Sequence, residues 1–376
     1  MPLSILGLGT ALPPHTMSQE EALQMSTNII CRDRRQSRIM RVLFRKAAVE
    51  NRHTCIPYLT AYEWAGQEVP SESPSHGSEV IVEGNGDALY RGLTTGERMR
   101  VFAEKAAPLA KQAVRASFEE AGVSPSDVTH LVTVSCTGFD APGIDIELID
   151  GLKLPPTTER VNVGYMGCHG AINGLRVARG IASHDPSAVV LLSATELCSL
   201  HYRFNWDDEG IIGNALFADG SAALVLANRD ETPQRPALQL KATGSCLIPD
   251  SRDVMSWRIG DHGFEMSLTA DVSYKIDDHL RDWLSGWLDR QGHSIESIGS
   301  WAVHPGGPRI LQAVESSLDL PEEATQFSRS VLSELGNMSS PTVLFIIDRM
   351  RKAGAPSPCL ALGFGPGLMA EAALFE

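Results

Sequence analysis

Apolar positions along the chain follow two alternating rhythms, one of continuous short runs and one of helical spacing. The opening L-S-I-L-G-L-G-T-A-L-P-P reads as a buried strand ending in a turn, and helical spacing follows through about Glu50. Residues from roughly Gly66 to Gly92 are rich in Ser, Pro, Gly and Glu and lack periodicity. They predict a surface excursion with a short hairpin around Val80 to Val82. A long amphipathic helix is predicted from about Gly96 to Ala121, closed by Gly122.

The same sequence of features returns later. A second helix, predicted around Asp271 to Arg290, is followed by a glycine stop, a polar turn and a buried strand, as the first one is. Gly122 answers to Gly292, Val134 to His304, and the strand from Val189 to the one from Cys359, each at a spacing of 170 residues. Gly167-Cys168 answers to Gly336-Asn337, and the opening strand has an echo from Leu238. Matches in one order at one offset indicate two copies of a strand–helix unit. Alternating strands and helices predict an α/β layered architecture. The expected halves are residues 1–233 and 234–376, joined by the polar stretch N-R-D-E-T-P-Q-R-P from Asn228 to Pro236.

Composition narrows the function. The chain has 376 residues, enough for two core-sized units, and is 43% hydrophobic and 21% charged. A net charge of -14 argues against a generic nucleic-acid binder, which needs a basic surface. No charged-then-apolar leader is present, and the run Ala188 to Ala194 is too short for a bilayer span. Seven cysteines occur without C-x-x-C pairs or zinc-type Cys/His spacing. The expectation is a cytoplasmic protein with reduced thiols, no metal site and no membrane insertion.

The duplication singles out three side chains. Cys168 and Asn337 occupy equivalent places, each after a glycine and each at the start of an apolar helical run. His304 ends the strand W-A-V-H, before P-G-G-P turns the chain away. A thiol at a helix N-terminus beside a histidine is expected to favour thiolate and act as a nucleophile. His304 and Asn337 would then present two donors to a second carbonyl, as decarboxylation of a malonyl thioester requires. The cluster Gly363-Phe364-Gly365-Pro366-Gly367 follows a predicted strand as a lining loop and does not fit a dinucleotide-binding fingerprint. Read alone, Cys168 is more often a buried structural thiol, and an Arg run on a helix is as often a solvated face.

The stretches G-Y-M-G-C-H-G-A-I-N-G-L-R, W-A-V-H-P-G-G-P-R-I-L, G-N-M-S-S-P-T-V-L-F-I-I-D-R-M, A-L-F-A-D-G-S-A-A-L and G-F-G-P-G resemble the chalcone-synthase superfamily, the type III polyketide synthases. The resemblance covers nearly the whole chain. It implies a duplicated thiolase-like αβαβα fold and a homodimer using coenzyme A thioesters directly, with no further cofactor. It implies an acyl starter on Cys168, with His304 and Asn337 decarboxylating malonyl-CoA and Ser339 in the substrate site. Phe217 and Phe264 match the family's aromatic gatekeepers. Thr137, Ala141, Cys198 and His201 give a pattern similar to bacterial alkylpyrone-forming members, which implies a fatty acyl starter and pyrone- or resorcinol-type products. Arg38, Arg41, Arg45 and Lys46 lie where the family contacts the coenzyme phosphates.

Three other readings stay open at this stage. They are a ketoacyl-acyl-carrier-protein synthase III-like initiating enzyme, an inactive scaffold with this fold, and a thiol-dependent hydrolase.

Overall fold

The computed structural model describes residues 3–68, 92–208, 210–229 and 238–376. The predicted hairpin around Val80 to Val82, most of the Asn228 to Pro236 linker and the expected boundary at 233 and 234 lie outside the described residues.

The first half contributes strands β1 (Leu3–Ala11), β2 (His15–Ser18) and β3 (Asn51–Thr54), with helices α1 (Gln19–Ile30), α2 (Arg34–Lys46) and α3 (Thr60–Trp64). Then come α4 (Thr95–Ala121), β4 (His130–Ser135), α5 (Ile144–Leu152), β5 (Glu159–Gly164) and α6 (Gly170–His184). It closes with β6 (Val189–Leu197), α7 (Ile212–Leu216) and β7 (Asp219–Ala227). The second half contains β8 (Leu238–Leu247), β9 (Met255–Gly260), β10 (Gly263–Leu268), α8 (Asp271–Asp289) and β11 (Ser300–Val303). It ends with α9 (Pro308–Leu318), α10 (Gln326–Leu335), α11 (Thr342–Ala353), β12 (Cys359–Gly365) and β13 (Met369–Phe375).

Among the described residues the main sheet runs β11-β12-β13-β8-β1-β7-β6-β4-β5. Read outward from the centre, β1-β7-β6-β4 and β8-β13-β12-β11 are the same motif twice. In each copy one pair is parallel (β4 with β6, β11 with β12) and the next antiparallel (β6 with β7, β12 with β13). The copies meet where Leu3–Ile5 of β1 pair antiparallel with β8. Helices α4 and α8 are followed by left-handed glycines, Gly122 and Gly292, and then by short 3-10 turns at Pro125–Asp127 and Ile295–Ser297. The duplication is thus visible turn by turn.

Side-chain alternation turns this sheet into layers. Val190, Leu192 and Ala194 of β6 face one core, while Val189 and Leu191 face another, under α4 and α5. In β12, Cys359 and Ala361 join that same first core, while Leu360, Leu362 and Phe364 pack under α8 and α9. The shared core is filled by Ile172 and Leu175 of α6 and by Val343, Leu344 and Ile347 of α11. Both helices touch strands of both halves. The order is therefore α4/α5, sheet, α6/α11, sheet, α8/α9, a thiolase-like αβαβα sandwich. Removing a core side chain such as Leu192 is expected to cost about 2–5 kcal/mol.

The equivalence loosens at the chemistry. Cys168 immediately precedes His169, the N-cap of α6, whereas Asn337 lies well upstream of α11, which begins at Thr342. Asn337 is held back because its backbone bridges to Phe217, so the chain needs Met338 to Pro341 to turn into the helix.

Candidate active site

Cys168 sits at the end of a tight connection from β5 to α6. Gly167 has a left-handed backbone (φ 78°), and a Cβ there would lie 2.4 Å from the Pro366 ring, so only glycine lets the 363–367 loop close on the nucleophile's turn. Across from it, Ser339 Oγ donates to Cys168 Sγ at 3.6 Å and lies 3.3 Å from Cys136 Sγ. Ser339 is itself left-handed (φ 57°), a conformation secured by its N–H donating to Asn337 Oδ1 at 2.8 Å. With its oxygen engaged, Asn337 offers the site its amide N–H. The Asn337 backbone is locked in turn. Its N–H donates to Leu216 O and its carbonyl accepts from Ala218 N–H, both at 2.9 Å.

His304 follows β11, and its N–H donates to Leu362 O at 2.8 Å, continuing the β11–β12 pairing by one residue. It is buried, and neither ring nitrogen has a hydrogen-bond partner among the described residues. Burial, aided by nearby His169, lowers its pKa to about 3, so the ring is neutral at physiological pH. Gly363 and Gly365 lie directly against His169, the neighbour of Cys168. A neutral, buried imidazole with no partner among the described residues suits an incoming acceptor, and a thioester carbonyl is one.

The expectation of a helix-stabilised thiolate is corrected here. Burial dominates and pushes the Cys168 thiol up to about 11. The Ser339 hydrogen bond lowers it and the Glu196 carboxylate raises it. Burial thus disfavours both a Cys168 thiolate and a His304 imidazolium, against the helix terminus.

Two pockets meet at this point. The inner one, ≈ 390 Å³, is lined by Cys168, Thr137, Cys198, Ser339 and Pro366, and the outer one, ≈ 520 Å³, by Arg52, His201, Asn214 and Phe264. Phe217, Trp257, Met266 and Cys198 line both, so they form the partition. The outer wall is an aromatic stack, with Phe264 on His201 at 4.2 Å and Trp257 edge-on to both.

The N-terminal domain of the chalcone and stilbene synthases matches residues 75–229, and their C-terminal domain matches residues 239–376. A type III polyketide synthase C of Arabidopsis thaliana is 30% identical over 99% of this chain and 94% of its own. The chain belongs to the chalcone and stilbene synthase family. The fold of this type III polyketide synthase is close to two solved relatives. One is PKS-I from the brown alga Ectocarpus siliculosus (29% identity, TM-score 0.85, covering 100% of this chain and 98% of that one). The other is the C-terminal type III domain of Steely1, a type I/III hybrid from Dictyostelium (25% identity, TM-score 0.87, 100% and 99%). The family's reaction is decarboxylating condensation, so the chain is an acyltransferase. Membership disfavours the initiating-synthase and hydrolase readings.

Several residues of this synthase singled out from sequence do converge. Cys168, Thr137, Cys198, Ser339, Phe217 and Pro366 line the inner pocket, and Phe264 and His201 the outer one. His201 is spent on structure, because Nε2 donates to Thr137 O at 2.6 Å and Nδ1 accepts from Phe264 N–H at 2.9 Å. That arrangement fixes a neutral tautomer with a pKa lowered by burial to about 3. Others lie elsewhere. Ala141 is exposed on its loop and is not a wall of either pocket. Phe364 points into the core beneath α8 and α9, and Gly367 anchors the loop to Met255. Arg38, Arg41, Arg45 and Lys46 lie exposed on α2 and line neither pocket.

Sequence reasoning missed Glu196 and Trp257. Glu196 is wholly buried and accepts from Cys136 N–H, Thr137 N–H and hydroxyl, Ser135 and Ser340. It ties the strand end beside the inner pocket to the Ser340 turn, and burial raises its pKa. A lone carboxylate ending an otherwise uncharged strand, V-V-L-L-S-A-T-E-L, was the available signal. Trp257 Nε1 donates to Cys136 O at 2.7 Å, pinning β9 over the inner pocket.

Proposed function

We propose that Cys168 takes an acyl group from an acyl-CoA starter, and that His304 and Asn337 generate the nucleophile that extends it. The observation that carries this reading is the hydrogen-bonded link Cys168–Ser339–Asn337, whose first two members line the inner pocket, together with a buried, neutral His304 whose ring nitrogens have no partner among the described residues. In loading, the Cys168 sulfur bonds to the acyl carbon, the starter's C–S bond breaks, and the thiol proton ends on the departing coenzyme sulfur. In extension, the malonyl C–C bond breaks and carbon dioxide leaves. Its electron pair becomes a thioester enolate, stabilised by N–H donors of His304 and Asn337. The enolate carbon then bonds the acyl carbon, and the Cys168 thiolate leaves and is ready for reloading. Only protein side chains and the thioesters take part, so no cofactor is proposed.

The starter we propose is fatty acyl, with pyrone- or resorcinol-type products. Apolar Met255, Met266, Trp257 and Phe217 around small Thr137 and Cys198 support that choice. Coenzyme phosphates are assigned to the exposed cations of α2, which packs on α7 beside the outer pocket. The protein is proposed to act as a homodimer. The exposed edge strand β5 supports this, together with exposed Phe139, Val161, Tyr165 and Met166 near it.

The test is incubation with radiolabelled malonyl-CoA and a panel of starters, followed by extraction. Labelled product with wild type, none with Cys168→Ala, and retained decarboxylation with Cys168→Gln are expected. Label-free extracts with every starter would refute the reading.

A further inference from the structure

Asn337 and the Phe217 partition share one support. Residues 214–217 form a short segment beside the outer pocket, and a single side chain collects three of its carbonyls. Arg52 of β3 donates from Nη1 to Asn214 O at 2.8 Å and to Phe217 O at 3.1 Å, and from Nη2 to Ala215 O at 2.9 Å. Nη2 also meets Gln19 Oε1. Gln19 Nε2 donates to Ala215 O at 3.1 Å and to Phe44 O at 2.9 Å, tying the segment to α2. The fourth carbonyl of 214–217, Leu216 O, accepts the Asn337 N–H. Gly336, just before Asn337, is left-handed (φ 74°), and a Cβ there would lie 3.5 Å from Arg52 Cβ.

Arg52 is therefore packed between the gate and the turn that carries Asn337. It is almost wholly buried, and every acceptor its terminal nitrogens reach is a neutral oxygen. Burial lowers its pKa only to about 10, so it stays charged at neutral pH, and charge-assisted bonds of this kind are stiff. A planar fork can serve three carbonyls at fixed angles, whereas an ammonium group cannot.

We infer that Arg52 is a positioning residue for extension, setting the main chain of Asn337 and the Phe217 partition through the Asn214–Phe217 carbonyls. The inference rests on the proposed role of Asn337. A residue acting this way should change the chemical step more than substrate affinity, because a misaimed donor costs transition-state stabilisation.

The experiment compares wild type, Arg52→Lys, Arg52→Met and Gln19→Ala. It measures malonyl-CoA decarboxylation, the fraction of Cys168 that an acyl-CoA loads, and thermal unfolding. In folded Arg52→Lys, kcat for decarboxylation should fall roughly 10- to 100-fold, with KM within about threefold and loading still complete. If Arg52→Met does not fold, Gln19→Ala, which removes one tether, should show the same split at roughly threefold. Folded Arg52→Lys with kcat within about twofold of wild type would overturn the inference. So would a kcat loss matched by an equal loss of loadable Cys168, which marks damaged protein only. Wild type that loads acyl groups but never decarboxylates malonyl-CoA would overturn the role of Asn337 and the inference with it.

Discussion

Ser339 donates its hydroxyl to the Cys168 sulfur at 3.6 Å, and the contact opposes the burial that holds the thiol protonated. A neutral hydrogen bond is worth about 1 kcal/mol. Ser339→Ala should therefore slow alkylation of Cys168 by iodoacetamide about fivefold near pH 8. An unchanged rate would mean the bond does not form in solution.

The raised thiol sets a pH profile. Because Cys168 is pushed up to about 11, its thiolate fraction climbs steadily with pH across the neutral range. Alkylation should accelerate about tenfold per pH unit from 7 to 9, with no plateau. A plateau near pH 7 would show a low-pKa nucleophile instead.

His304 predicts the opposite for the decarboxylation step. Its pKa near 3 keeps the ring neutral and able to donate throughout the pH range of a folded enzyme. Malonyl-CoA decarboxylation by Cys168→Gln should stay flat from about pH 5 to 8. A fall centred near pH 6.5, the ordinary histidine value, would place His304 in a wetter site than the one described.

His201 is predicted to matter for stability. Removing it strips partners from Thr137 O and Phe264 N–H and takes away the ring stacked on Phe264. His201→Ala should cost about 3 kcal/mol in denaturant unfolding. A cost below about 1 kcal/mol would mean water takes over both bonds without penalty.

Much of this was legible from the chain. The offset of 170 residues that pairs Gly122 with Gly292 reappears as matching left-handed glycines, 3-10 turns and strand orders. It was legible because hydrophobic period and glycine stops are local features. Cys168, His304 and Asn337 were visible because each stands beside glycine or proline in a distinctive word. The protonation state of Cys168 was not, since it depends on desolvation by residues far apart in sequence. Arg52 was also invisible. Three of its partners lie more than 160 residues away and are backbone carbonyls, which leave no mark in a sequence. Nor could the sequence show that Ala141 sits on an exposed loop, outside the walls around Cys168.

The central claim is that Cys168 carries the growing acyl chain. Intact-protein and peptide mass spectrometry after a short incubation with a long-chain acyl-CoA tests it most directly. The account predicts one acyl adduct per chain, mapped to the Cys168 peptide, removed by malonyl-CoA and absent from Cys168→Ala. An unmodified Cys168, or an adduct on another cysteine that survives in Cys168→Ala, would contradict it.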